Sequence, residues 1–317
     1  MDQIMQVFNI GLLQNTLRTA TPVILCAMGG LLTEQAGIMN IGMDGMILIT
    51  AFAAVSVSYA CSSAALGLFA AVTAGIIVGL FFALFVVKFK SDEFIIGMAL
   101  NIFSAAVTVY LLRSIFGVKG TFSDAGIVGL PSVHIKFLEN IPILGTILND
   151  NSIFVYITWI LVFVVWLFLY HTPTGYHLRA SGEHPESLET AGVSPAKMKL
   201  LASVLCGVLC AFAGAHLSLG YLTMFTEGMS NDRGFTAFAC VIFGRANPPK
   251  VFLAALLFGF MEALGLRLQN VGVPSQLAST IPYIATILML VYISVSAKRK
   301  MAYKIKKEQR IGEKTRK

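Results

Sequence analysis

GMILITAFAAVSVSYACSSAALGLFAAVTAGIIVGLFFALFVV, residues 45–87, runs for 43 positions without an Asp, Glu, Lys or Arg. A hydrocarbon core about 30 Å thick takes roughly 20 apolar residues as a helix. The stretch is therefore read as two membrane crossings that turn near Cys61 to Ala65. Phe94 to Leu112, Ser152 to Tyr170 and Leu200 to Tyr221 are further charge-free windows of this kind, and Leu17 to Leu32, Val251 to Arg267 and Leu277 to Ser296 are less perfect ones. With 56% apolar and 12% charged residues among 317, the chain is excluded from the ordinary soluble class. The expected fold is all-α and polytopic, with about eight to nine transmembrane helices across residues 1–297. Phe235 to Phe243 is too brief for a standard crossing and is expected as a tilted, extended or broken helix buried in protein. The N-terminus lacks the basic region of a cleavable signal peptide.

The formal charge of +7 is concentrated at one end. Residues 298–317 hold ten Lys/Arg and two Glu, a local +8 that leaves −1 for the rest. Such a tail reads as cytoplasmic and lipid-facing, each base adding about 1 kcal/mol of attraction to anionic lipid. It lacks the interleaved aromatics of a nucleic-acid arm apart from Tyr303, so no nucleic-acid partner is expected. Counting spans back from the tail puts residues 244–250, 171–199 and 88–93 inside, and 223–234 and 113–151 outside.

The polar interruption HTPTGYHLRASGEHPESLETAGVSPAKMK, 171–199, stands between two apolar runs. His184-Pro185-Glu186 to Ala191-Gly192 has the marks of a short helix, with proline and acid in its first turn and glycine at its stop. Ser194-Pro195 then starts another, serine as cap and proline as first residue. A compact cytoplasmic helix beside a membrane core is a surface for a separate soluble subunit.

Two polar breaks suggest an internal symmetry. Thr33 to Asp44, two apolar runs, the 88–93 loop and a further run are echoed by Glu227 to Gly234, the Phe235 and Val251 runs, the 268–276 loop and the last span. Corresponding loops fall on opposite sides, the pattern of an inverted-topology repeat with its substrate path between the halves.

The densest candidate chemistry lies in TEQAGIMNIGMDG, 33–45. Glu34, Asn40 and Asp44 stand among Gly37, Gly42 and Gly45, where glycine permits close backbone approach and a carboxylate at mid-membrane would cost about 2.5–3.5 kcal/mol. They either face a cavity or gate or sit in an interfacial turn. Asn101, within the Phe94 run, is either interhelical glue or a substrate contact. Glu262 and Arg267 read as a structural or snorkelling pair, His216 as a hydrogen-bonded packing histidine, and Met39, Met43 and Met46 as adaptable packing. The five cysteines lack metal-ligand spacing, although Cys206 and Cys210 share a helix face. There is no G-x-x-x-x-G-K-S/T, G-x-S-x-G or H-E-x-x-H sequence. No intrinsic enzyme activity and no cofactor are expected.

TLRTATPVIL (16–25), LLTEQAGIMNIGMDGMILITAFAAV (31–55), SDEFIIGMALN (91–101), GYHLRASGEHPESLETAGV (175–193), GFTAFACVIFGRANPPKVFLAALLFG (234–259) and IPYIATILMLV (281–291) together resemble the inner-membrane permeases of bacterial ABC importers for nucleosides and simple sugars. The resemblance is closest to nucleoside permeases that act in pairs of non-identical subunits. It implies an ABC ATPase, a second homologous permease and an extracytoplasmic substrate-binding lipoprotein as partners. It makes 182–192 the stretch that matches the coupling region seated on the ATPase, with Gly182, Glu183, Glu186, Ala191 and Gly192 as candidate contacts. Glu186 and Gly192 keep the spacing of the E-A-A-x-x-x-G pattern, but Ser187 and Leu188 replace its alanines. The family's glycine-rich block falls on Gly37, Asn40, Gly42 and Gly45, with its second-half counterpart at Gly244, Arg245, Asn247 and Pro248. Glu34, Asn40, Asp44 and Asn101 are the candidate pathway residues, and Gly37, Gly42, Gly45 and Gly244 the candidate gate glycines. Nucleosides are the expected substrates, a simple sugar or riboflavin-like vitamin the nearest alternative, and an ion-coupled secondary transporter using Glu34, Asp44 or Glu262 the rival of another class.

Overall fold

The computed structural model describes residues 10–134, 148–278, 280–289 and 291. The basic tail at 298–317 and the end of the last expected span lie outside the described residues. Helices in chain order are α1 (Ile10–Gln35), α2 (Met43–Cys61), α3 (Ala64–Ala83), α4 (Glu93–Phe116), α5 (Ile153–His171), α6 (Pro173–Glu183), α7 (Pro185–Thr190), α8 (Pro195–Ala215), α9 (Arg233–Gly244) and α10 (Pro248–Asn270). A last apolar helix, α11 (Gln276–Met289), follows. Among the described residues seven helices are long and apolar enough to cross a membrane, and α9 and α11 are shorter apolar ones. The fold is all-α and polytopic.

Local chemistry places the boundaries. The turn expected near Cys61 to Ala65 is two residues long: Ser62 is left-handed, and Ser63 caps α3 by accepting from Leu66 N. Asp92 caps α4 through Ile95 N at 3.0 Å, and left-handed Gly117 ends it. Thr172 caps α6, with Pro173 fixed in the helical range behind it. α3 and α8 each finish in a π-helical turn, Leu84–Lys88 and His216–Tyr221.

With lipid no less apolar than leucine, helices in a membrane gain most from close packing through small residues. Here α1 lies along α10 and α8 along α3, while α1 and α8 also pack together. A Cβ on Gly207 of α8 would stand 2.1 Å from the Gly75 carbonyl oxygen of α3, so these backbones touch. Gly259 of α10 meets Ala20 of α1 in the same way, and Gly29 of α1 meets Cys206 of α8. Cys26 and Cys210 lie 3.7 Å apart at the α1–α8 seam, buried among hydrocarbon.

The inverted repeat expected from the polar breaks is visible as a pairing rule. α1 to α4 and α8 to α11 follow one plan: long helix, interruption, helix, connector, two more helices, and each long helix packs on the third helix of the other set. The first interruption (36–42) starts at the face bearing α6 and α7, because Gly37 abuts the Gly182 backbone. The second (222–232) starts at the opposite face, where Thr121–Phe122 pairs antiparallel with Phe225–Thr226. That strand pair joins two loops expected on one side, and Gln35 Nε2, at the end of α1, donates at 2.6 Å to Ala246 O in a loop expected on the other.

One local expectation holds and two need revision. The short helix expected from His184-Pro185 to Ala191-Gly192 is α7, which carries Glu186, ends at its cap Ala191 and turns out at Gly192 (φ +80°); a break at His184 separates it from α6, which Gly182 and Glu183 end. Proline at 185 forces this break, since it cannot donate to the α6 ladder. Ser194 does stand before α8, but its side chain makes no capping bond. Glu262 pairs with Arg233 of α9, a partner outside its own helix. His216 is buried and packs as expected, its Nε2 3.4 Å from the Arg18 carbonyl oxygen.

Candidate functional site

The two interruptions meet. Asp44, in the first turn of α2, accepts from Gly234 N in the first turn of α9 at 3.0 Å and from Ser230 Oγ at 2.7 Å. Two helix N-termini thus aim their positive ends at one carboxylate, which relieves the cost of holding it away from bulk water. Approach this close needs glycine: a Cβ on Gly234 would stand 2.2 Å from Asp44 N.

The extended segment 36–42 is satisfied by two amides. Asn40 Oδ1 accepts from Gly42 N at 3.0 Å, and its Nδ2 points at Cys206 Sγ at 3.4 Å. Asn101 of α4 reaches across with both ends of its amide, Oδ1 accepting from Gly45 N at 2.7 Å and Nδ2 donating to Ile41 O at 3.0 Å. Cys206 is eleven residues along α8, about 16 Å at 1.5 Å per residue, so this irregular backbone runs deep in the bundle. Non-helical chain at that depth is tolerated where protein satisfies it, which is the work of both asparagines. Gly42 and Gly45 press against Gly97, Leu100 and Ser104 of α4, closing the seam. Of the four candidate pathway residues, Asn40, Asp44 and Asn101 therefore gather at one junction. Glu34 stands apart, at the α1 end near Glu93, whose carboxylate accepts from the Met39 backbone.

The gate glycines divide likewise. Gly37 is left-handed (φ +74°) against Gly182, Gly42 and Gly45 line the α2–α4 seam, and Gly244 packs on Val251 at the far end of α9. A Cβ on Gly182 would meet Gln35 O at 2.5 Å and Gly37 N at 2.8 Å, so the end of α6 rests on the start of the interruption without side chains between. Gly182→Val is expected to separate the two and lower transport at least tenfold with the protein still inserted; uptake in membranes of matched expression measures it.

Sequence reading missed the second-half partners. Arg233 pairs with Glu262 of α10 and also donates to Met229 O and Ser230 O. Asp232, left-handed before α9, accepts from Tyr283 Oη of α11 at 3.3 Å. The run Ser230-Asn231-Asp232-Arg233-Gly234 ahead of an apolar helix carried that signal, as an inverse of Asn40 to Gly45. Between α9, α10 and α11 lies a cavity of about 590 Å³ bordered by Asp232, Arg233, Glu262 and Tyr283. Among the described residues no group of three or more His, Cys, Asp or Glu is placed to hold a metal ion.

Residues 12–291 match the family described as branched-chain amino acid transport system / permease component. The chain belongs to this permease family. The permease is 30% identical over 298 residues to the guanosine ABC transporter permease protein NupQ of Bacillus subtilis, covering 90% of this chain and 92% of that protein. It is 30% identical over 291 residues to the nucleoside ABC transporter permease protein NupC of Lactococcus lactis subsp. cremoris, covering 87% and 90%. It is also 30% identical over 309 residues to the putative glucose ABC transporter permease protein TsgC13 of Haloferax volcanii, covering 90% and 92%. No solved structure matches. The permease is a multi-pass protein of the cytoplasmic membrane and a transport subunit, not an enzyme.

Proposed function

We propose that the permease carries nucleosides inward as one half of the membrane channel of an ATP-driven importer. The observation that carries this reading is full-length similarity at 30% to both a guanosine and a nucleoside permease. The site is consistent with an uncharged cargo: Asp44 is met by helix N-termini, and Glu262 is neutralised by Arg233. A binding lipoprotein outside delivers the nucleoside, a second homologous permease completes the path, and a separate ATPase supplies the energy. α7 is the coupling helix, exposed on the face where the first interruption begins, and its motion reaches that interruption through Gly182 and Gly37. Binding of ATP biases a two-state element, so the permease alone needs no catalytic group.

Labelled guanosine and uridine uptake in a deletion strain, with and without the restored gene, tests the reading. Restoration that is blocked by excess unlabelled nucleoside but not by glucose is the expected result. Competition by glucose alone would move the cargo to simple sugars, the second reading supported by the Haloferax relative. Uptake that persists without the ATPase and collapses with the ion gradient would replace both by a secondary transporter.

Coupling is tested separately. Gly192 sits at φ +80°, where proline cannot go, and Glu186 lies in the first turn of exposed α7. Gly192→Pro and Glu186→Lys are each expected to reduce co-purification of the ATPase at least tenfold while membrane insertion persists. Full retention of the ATPase by both variants would remove α7 from that role.

A further inference from the structure

The two halves of the bundle differ at one place where the repeat makes them comparable. In the first half α4 seals against α2, glycine to glycine, with Asn101 bridging the seam. In the second half the corresponding helix, α11, stands off α9 and leaves the 590 Å³ cavity. Among the described residues a hydrogen bond from α11 to α9 crosses it, as the asparagine does in the first half: Tyr283 donates to Asp232 at the start of α9. The void lies within the usual size range of small-molecule sites, about 300–1,000 Å³.

The lining has a defined chemistry. Arg233 and Glu262 cancel one another, so the wall's unpaired formal charge is that of Asp232, which is exposed. Tyr283 occupies Oδ2 of Asp232, and Oδ1 accepts no hydrogen bond among the described residues. A carboxylate beside a phenol offers acceptors and a switchable donor at one edge, suited to neighbouring hydroxyls of a sugar ring. Phe235 and Phe258 add apolar wall, against which a planar base can rest. An anionic ligand is disfavoured, because Asp232 would repel it and the guanidinium is already committed to Glu262.

Resting on the nucleoside reading above, we propose that this cavity is a staging site for the nucleoside inside the permease, with the ribose hydroxyls held by Asp232 and Tyr283. The site lies beside the second interruption, where the extracytoplasmic loop turns into α9. Its occupant therefore sits next to the Asp44 junction and is released when α9 moves.

The probe is tritiated guanosine, bound to the purified, detergent-solubilised transporter without its binding lipoprotein and measured by scintillation proximity. Wild type is expected to bind guanosine at least tenfold more tightly than 2′,3′-dideoxyguanosine, and to ignore guanosine monophosphate. Asp232→Asn and Tyr283→Phe are expected to erase the preference for the ribose hydroxyls without weakening the dideoxy compound. Thr286→Trp, which fills the cavity from α11, is expected to remove binding of both. Unchanged discrimination in both polar variants, or guanosine binding that survives the tryptophan, overturns the site. So does a wild-type transporter that binds no guanosine in this assay. Each of these leaves the uptake result in the deletion strain standing, whereas failure of uptake itself overturns the nucleoside reading.

Discussion

Replacing Glu262 by leucine is expected to destabilise the protein toward the lower end of the roughly 3–5 kcal/mol that follows when one member of a buried ion pair is removed. Arg233 and Glu262 are 13% and 20% exposed at their side chains, and the pair ties α9 to α10 beside the cavity. Without the carboxylate the guanidinium keeps its hydrogen bonds to the Met229 and Ser230 carbonyl oxygens but loses its paired charge. Thermal unfolding in detergent should show a drop of several degrees, with transport lost. Removing both charges, Arg233→Met with Glu262→Leu, is expected to recover most of the stability, because the pair's own net contribution is small once its desolvation is counted. A double variant no more stable than the single one would show that Glu262 acts through something other than this pair.

Gly234→Ala is the second large effect. The obstacle is the backbone of Asp44, 2.2 Å away at N and 2.4 Å at Cα, and no side chain can swing aside to make room. α9 must therefore leave α2, losing the Gly234 N and Ser230 Oγ bonds to the carboxylate, each worth about 1–3 kcal/mol when a buried partner is left unsatisfied. Transport is expected to fall at least a hundredfold while the chain still inserts, since the apolar spans are untouched. Gly228→Ala is the control: it lies in the same interruption at φ +68° with nothing within 4 Å of an added Cβ, and should cost only about 1 kcal/mol of strain. Equal damage from both alanines would argue for general fragility of the loop rather than for the α2–α9 contact.

Most of the architecture was legible because lipid imposes a simple rule: apolar length makes a crossing, and polar breaks mark its ends. The 43-residue run resolves into α2 and α3 for that reason, and the brevity of Phe235 to Phe243 becomes α9. Asn40, Asp44 and Asn101 were picked out as polar groups that would need partners in lipid, and they meet at one junction. What they bond to was not legible. Periodicity says that an amide on α4 needs a partner, but only the folded chain shows that the partner is the backbone at Ile41 and Gly45. The Arg233–Glu262 pair was hidden for the same reason, since 29 residues separate its members and Arg267 stood nearer along the helix. α6 escaped notice because His171 to Glu183 has no apolar stripe to mark it, only the Thr172-Pro173 start.

α9 enters and leaves its helix through four left-handed residues, Asn231 and Asp232 before it and Arg245 and Ala246 after it, none of them glycine. The conformation costs Arg245 and Ala246 about 1 kcal/mol or more each, and Asn231 and Asp232 less. Contacts with α1, α2 and α10 hold the segment in place against this strain at its own ends. Ala246→Gly, by relaxing one end, should make the protein more stable by about 1 kcal/mol and the transport cycle slower.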